Sequence, residues 1–171
     1  MFGVAGARDT EFSDYVAQRR PVMYRTAYLL CGDPHRAEDI VQAALVKVYL
    51  AWTRVSRADS VDAYVRRTVV NAHLDDIRRP WRRERTVAEV GDGIAAQPLG
   101  VEESEALWTA LRALPPGQRR VVVLRHYWGL SVEETAADLG ISTGTVKSQT
   151  ADALANLRVA LAPTDNVGGP R

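Results

Sequence analysis

Apolar side chains recur every three or four residues along most of this chain, so nearly all of it is predicted to be helical. From Phe12 to about Cys31 the spacing is interrupted at Pro21, which should end or kink a short first turn. Asp33-Pro34 then sets a capping carboxylate before a proline at the first helical position. The helix it opens carries Ala37, Ile40, Val41, Ala44, Leu45, Val48 and Trp52 on one stripe, the most regular amphipathic pattern in the chain. Its other face shows Glu38, Asp39, Gln42 and Lys47. A loop around residues 56–60 leads to a third helix, near Val61 to Arg79, with Arg67, Asn71, Asp75 and Arg78 as its polar stripe and Pro80 as its stop.

The stretch from Thr86 to Gly100 sustains no period and contains Gly91, Gly93, Pro98 and Gly100, the composition of a linker. Beyond it, helices are predicted at about Glu103 to Leu114, at Pro116 to Trp128, and in a final pair. No internal repeat and no strand pattern is present, so the expected fold is all-α: two small helical domains joined by a flexible linker. The expected boundaries are a disordered N-terminus (residues 1–11), a first domain (12–85), a linker (86–102), a second domain (103–161) and a disordered tail (162–171).

In the final pair, Ser131 and Glu134 have the spacing of a capping box, and Gly140 supplies the left-handed residue that stops the first helix. Ser142 or Thr143 starts the second. On it Val146, Thr150, Ala153, Leu154, Leu157 and Leu161 fall on one side, which turns Gly144, Thr145, Ser148, Ala151 and Asp152 outward. A helix with a small, hydrogen-bonding outer face fits the major groove of DNA. The competing reading is an ordinary helical hairpin packed in a core.

Charge sharpens this division more than the overall balance of +1 does. Residues 1–85 hold 15 basic and 11 acidic side chains, residues 86–113 hold 1 and 5, and residues 114–171 hold 6 and 5, so an acidic spacer separates two non-acidic parts. Arg78, Arg79, Arg82, Arg83 and Arg85 surround Trp81, a cluster able to neutralise phosphates while the indole stacks on a base. Its competing reading is a solvated helix end. All but two of the 22 basic residues are arginine, a bias that points to a GC-rich genome rather than to a mechanism.

Catalytic chemistry finds little support. His35, His73 and His126 lie on three separate predicted elements, and the pairs Glu38-Asp39 and Asp75-Asp76 point about 100° apart on their helices, so no metal site or triad is suggested. Phosphate-cradling glycine loops and serine elbows are missing as well. The single cysteine, Cys31, reads as a core residue and cannot form an internal disulfide, which fits a reducing cytoplasm. No run approaches the roughly 18 apolar residues of a membrane span, and Arg8, Asp9 and Glu11 do not suit a signal peptide. The expectation is a cytoplasmic protein that is not an enzyme and uses no cofactor or metal.

Two motifs, Gly32 to Gln42 and Leu114 to Arg125 with Gly144 to Ser148, together resemble a known family, the extracytoplasmic-function (group IV) sigma factors of bacterial RNA polymerase. Gly32-Asp33-Pro34-His35-Arg36-Ala37-Glu38-Asp39-Ile40-Val41-Gln42 is similar to the sigma region 2 helix that docks on the polymerase. Leu114-Pro115-Pro116-Gly117-Gln118-Arg119-Arg120-Val121-Val122-Val123-Leu124-Arg125, followed by Gly144-Thr145-Val146-Lys147-Ser148, is similar to the sigma region 4 helix-turn-helix. The likeness covers residues 12 to about 161, and its Ser148-Gln149-Thr150-Ala151 continuation looks most like the actinobacterial SigE family.

The resemblance implies a sigma factor that directs core RNA polymerase to specific promoters. It implies polymerase binding by Glu38, Asp39, Gln42 and Val46 on the beta-prime clamp helices, with the beta flap as a further docking point. It also implies minus-ten DNA contacts at Ser56, Arg57, Ala58, Asp59, Ser60, Arg67, Asn71, Arg78, Arg79, Trp81, Arg82 and Arg83, the loop capturing a flipped base. Contacts to the minus-thirty-five element would come from Ser142, Thr143, Gly144, Thr145, Lys147, Ser148, Gln149, Ala151 and Asp152, and an anti-sigma factor is a further candidate partner. The chain departs from the family's pattern at Ala43, Gln149 and Asp152. An aspartate facing DNA repels phosphates, and is tolerated only if it accepts a hydrogen bond from a cytosine amine or pairs with a protein arginine. Two other readings stay open: a dimeric helix-turn-helix repressor or activator, and an inactive sigma-like adaptor.

Overall fold

In the structure, a computed structural model, residues 3–79 and 103–163 are described. Every regular element among them is helical: α1 (Gly3–Cys31), α2 (Pro34–Leu50), the single turn α3 (Trp52–Val55), α4 (Val61–Arg78), α5 (Glu103–Ala113), α6 (Pro116–Val122) running into a π-helical turn (Val123–Tyr127), α7 (Val132–Leu139) and α8 (Thr143–Leu161). The chain divides into two compact units, with α1 to α4 in the first and α5, α6, most of α7 and α8 in the second. Residues 86–102, Trp81, Arg82, Arg83 and Arg85 of the arginine cluster, and residues 164–171 lie outside the described residues.

The first unit is built on α2. Asp33 accepts a hydrogen bond from the Arg36 amide at 2.8 Å and Pro34 opens the helix, as the sequence predicts. Ala37, Ile40, Val41, Ala44 and Val48 are buried against Met23, Ala27, Tyr28 and Leu30 of α1 and Val65, Val69 and Val70 of α4. Trp52 and Val55 close the same core.

Two expectations for α1 are corrected. Residues 3–11 are helical rather than disordered, and Pro21 sits inside a continuous helix. Contacts far along the chain supply the reason at the N-terminal end. Arg8 donates to the Tyr49 carbonyl at 2.6 Å while its guanidinium lies over the Tyr49 ring, and the Tyr49 hydroxyl donates to Asp9 at 2.9 Å. Phe12 meets the rings of Tyr49 and Trp52 edge-on at 5.1 and 5.4 Å. At Pro21 the helix loses one backbone bond, but Ala17 and Pro21 both lie on its exposed side, where water can satisfy the freed carbonyl.

The second unit packs Trp108, Leu111 and Leu114 with Val121, Val122, Leu124 and Leu130, and with Val146, Ala153 and Leu157 of α8. Ser131 and Glu134 make both bonds of the capping box, at 2.8 and 3.0 Å. Gly140 has φ 65°, and the Ile141 amide donates to the Ala136 carbonyl, the motif that ends a helix on a left-handed residue. Removing the first cap is a small, local loss. Ser131→Ala should lower the stability of this unit by about 1 kcal/mol, read as a shift in its thermal midpoint, and an unchanged midpoint would deny the cap any role.

Candidate nucleic-acid and polymerase interface

Three exposed surfaces collect the candidate residues. The first is a stripe on α2. Asp39, Gln42, Ala43, Val46 and Leu50 share one exposed side, with Val46 59% and Leu50 74% accessible. Neighbouring helices hold its flanks. Glu38 is half-buried in an ion pair with Arg20 of α1 at 2.6 Å, Tyr49 is held by Arg8 and Asp9, and Lys47 pairs with Asp75 of α4 at 3.1 Å. Glu38 therefore has a partner within the chain, and Asp39, Gln42 and Val46 form the centre of the stripe. Leu50 extends it beyond the residues expected from the motif, and its spacing of four from Val46 carries the signal for that place.

Beneath α2, Arg36 and Asp76 tie it to the far end of α4. The Arg36 Nε and Nη2 donate to one Asp76 oxygen at 3.0 and 2.8 Å, and the carboxylate is 8% exposed. Asp76 is thus a structural residue. Its place in an adjacent acidic pair gives no hint of this role, because the partner lies forty positions away.

The second surface is the loop of residues 56–60 with the outer stripe of α4. Residues 57–60 are exposed, and Ser56 is half-buried. The base of the loop is fixed on both sides. Trp52 and Val55 are buried before it, while the Ser60 hydroxyl caps α4 by accepting from the Ala63 amide at 3.1 Å. Asp62, in the first turn of α4, accepts from the Tyr15 hydroxyl at 2.9 Å and from Arg19. Burial and then the bond to Asp62 raise the Tyr15 pKa, so this hydroxyl keeps its proton and stays a donor. Arg54 lies over the Tyr64 ring across the loop. Such a frame presents Arg57, Ala58 and Asp59 from a rigid base. Arg67, Asn71, Asp75, Arg78 and Arg79 are exposed along and just past α4, Asp75 being engaged by Lys47 and, at 4.0 Å, by Arg78.

The third surface is the outer face of α8. Thr143, Gly144, Thr145, Lys147, Ser148, Ala151 and Asp152 are exposed, and Val146, Ala153 and Leu157 anchor the helix. Leu161, expected on the inner side, is exposed at the last residue of the helix. Several predicted readers are already engaged. Ser142 caps α8 by accepting from the Thr145 amide at 3.1 Å, and its hydroxyl lies 2.9 Å from that of Thr145. The Ser148 hydroxyl donates back to the Thr145 carbonyl at 3.1 Å. Gln149 is half-buried, its amide oxygen 3.6 Å from where a Cβ on Gly117 would sit. Among the described residues, no hydrogen bond or ion pair engages the side chain of Asp152.

No group of three or more histidine, cysteine or acidic side chains among the described residues could hold a metal ion. No helix among them is long and apolar enough to cross a membrane.

Comparison with known proteins agrees with this arrangement. The Sigma-70 region 2 family matches residues 15–83, and the Sigma-70, region 4 family matches residues 104–157. An RNA polymerase sigma-E factor of Streptomyces coelicolor is 40% identical over 161 residues, covering 91% of this chain and 88% of that protein. The ECF RNA polymerase sigma factor SigM of Mycobacterium tuberculosis is 32% identical over 154 residues, covering 90% of this chain and 78% of that one. Among solved structures, the sigma factor RpoE in complex with the anti-sigma factor NepR from Bartonella quintana has a similar fold, with a TM-score of 0.72 at 24% identity over 90% of this chain and 98% of that one. With both sigma regions matched in order and relatives aligned over most of its length, the chain belongs to the sigma-70 family of RNA polymerase sigma factors, in the extracytoplasmic-function group.

Proposed function

We propose that this protein binds core RNA polymerase and directs it to a subset of promoters, aiding promoter melting without catalysis of its own. The observation that carries the proposal is the pairing, in one chain, of an exposed docking stripe on α2 with a capped helix-turn-helix. A repressor has use for the second of these and none for the first. In this reading Asp39, Gln42, Val46 and Leu50 meet the beta-prime clamp helices, an acidic and amide end suiting a basic partner and an apolar end burying surface. The second unit would also meet the beta flap. Residues 56–60 receive a flipped base of the minus-ten element, and Arg67, Asn71, Arg78 and Arg79 follow its single strand. The outer face of α8 reads the minus-thirty-five duplex.

The site of action is then the cytoplasm, with core enzyme. An anti-sigma protein belongs to the proposal too, since a sigma factor similar in fold was solved with one. Runoff transcription with purified core polymerase on fragmented genomic DNA tests the whole reading. Discrete new start sites are expected, and their absence would end it.

Phosphate contacts make a separate, quantitative expectation. Replacing Arg78 and Arg79 with glutamine should flatten the salt dependence of holoenzyme binding to promoter DNA by about two in log–log slope, on the rule of roughly one per lost contact. An unchanged slope would make them a solvated helix end.

A further inference from the structure

We infer that Asp152 is a base-reading residue of the upstream element and that it selects a cytosine. The inference rests on the proposed role of the second unit and names the chemistry of its site. Among the described residues, no arginine or other partner neutralises this carboxylate, which stands exposed on the groove-facing side of α8. The neighbours that could have shared the task are committed elsewhere: the Ser142 and Thr145 hydroxyls to the helix cap, the Ser148 hydroxyl to a backbone carbonyl, the Gln149 amide to packing beside Gly117. Lys147 lies about 140° round the helix from Asp152, too far to pair with it in place and well set for a phosphate.

An ionised carboxylate only accepts hydrogen bonds, and near DNA it is repelled by phosphates. It is stable in the major groove only where a base offers a donor. Two bases do, cytosine through its N4 amine and adenine through N6. Adenine sets its N7 acceptor beside that amine, and a second lone pair there opposes a carboxylate. Cytosine has no acceptor of its own on that edge. One position of the upstream element should therefore be read by Asp152 as cytosine.

The test is selection from a random minus-thirty-five library by holoenzyme assembled from the full-length protein, alone and with Asp152→Asn or Asp152→Ala. The wild type should prefer cytosine at one position by on the order of tenfold. Asp152→Asn should move that same position to adenine, because an amide can bond N6 and N7 together. Asp152→Ala should abolish the preference there and keep the others. Residue 152 is exposed, so these variants retain the fold. Identical preferences in all three proteins would overturn the inference and leave promoter recognition standing. A wild type that selects no upstream sequence at all would overturn both.

Discussion

Replacing Arg36 with methionine should destabilise the first unit by about 3 kcal/mol, the low end for breaking a buried ion pair. Methionine keeps the apolar stem and removes the guanidinium, so the change isolates the charge. What remains is the Asp76 carboxylate, 8% exposed and deprived of two N–H donors at 3.0 and 2.8 Å. Asp76→Leu should cost less, because the arginine it strands is 28% exposed and can turn toward water. The double replacement should recover most of the loss, since a buried pair exchanged for apolar packing is often nearly neutral. Denaturant unfolding followed by tryptophan fluorescence, in a background where Trp81, Trp108 and Trp128 are phenylalanine so that Trp52 is the reporter, measures all three. A loss below about 1 kcal/mol for Arg36→Met would show that the pair is not a structural tie.

The second large effect concerns docking. Val46→Glu should weaken binding to core polymerase on the order of thirtyfold, the scale of a central interface residue. Val46 is 59% exposed and its neighbours along the stripe include Ala43 and Leu50, so a new carboxylate would disrupt apolar burial without unsettling the helix. Replacing Asp39 and Gln42 together with alanine should weaken the same complex, more at low salt than at high, because an acidic group facing a basic partner acts through a screened field. Titration against the isolated clamp fragment, with thermal melting as a control for folding, separates the two contributions. If Val46→Glu and the double alanine protein bind as the parent does, α2 is not the docking helix.

Much of the first unit and of the helix-turn-helix is legible in residue spacing alone. The buried stripe of α2, the cap at Asp33, the capping box at Ser131 and Glu134 and the stop at Gly140 appear where the residues indicate. Each depends on side chains three or four positions apart, and within one helix sequence distance is spatial distance. Expectation and structure part where a distant partner decides. Residues 3–11 carry too little apolar periodicity to suggest order, yet Arg8, Asp9 and Phe12 find Tyr49 some forty positions later. The local penalty at Pro21 points to a break, and the packing on either side of it outweighs one lost bond.

The same boundary runs through the candidate sites. Spacing is sufficient to turn Thr145, Ser148 and Asp152 outward and to mark Asp39, Gln42 and Val46 as one exposed side, because facing is a matter of helical angle. The family motifs likewise reside in linear order. Local bonds engage the Ser142 and Ser148 hydroxyls with the α8 backbone, but whether an outward carboxylate or amide is free to act is a tertiary question, since its other partners lie far along the chain. Folding commits Glu38 to Arg20, eighteen positions away, and sets the Gln149 amide beside Gly117, and it leaves Asp152 and the edge formed by Val46 and Leu50 available, while Ser148 bonds a carbonyl of its own helix three positions back. The sequence by itself determined the helices, their caps and the faces they present; the tertiary structure decided which of those side chains were already taken, because that choice depends on contacts between residues no local pattern relates.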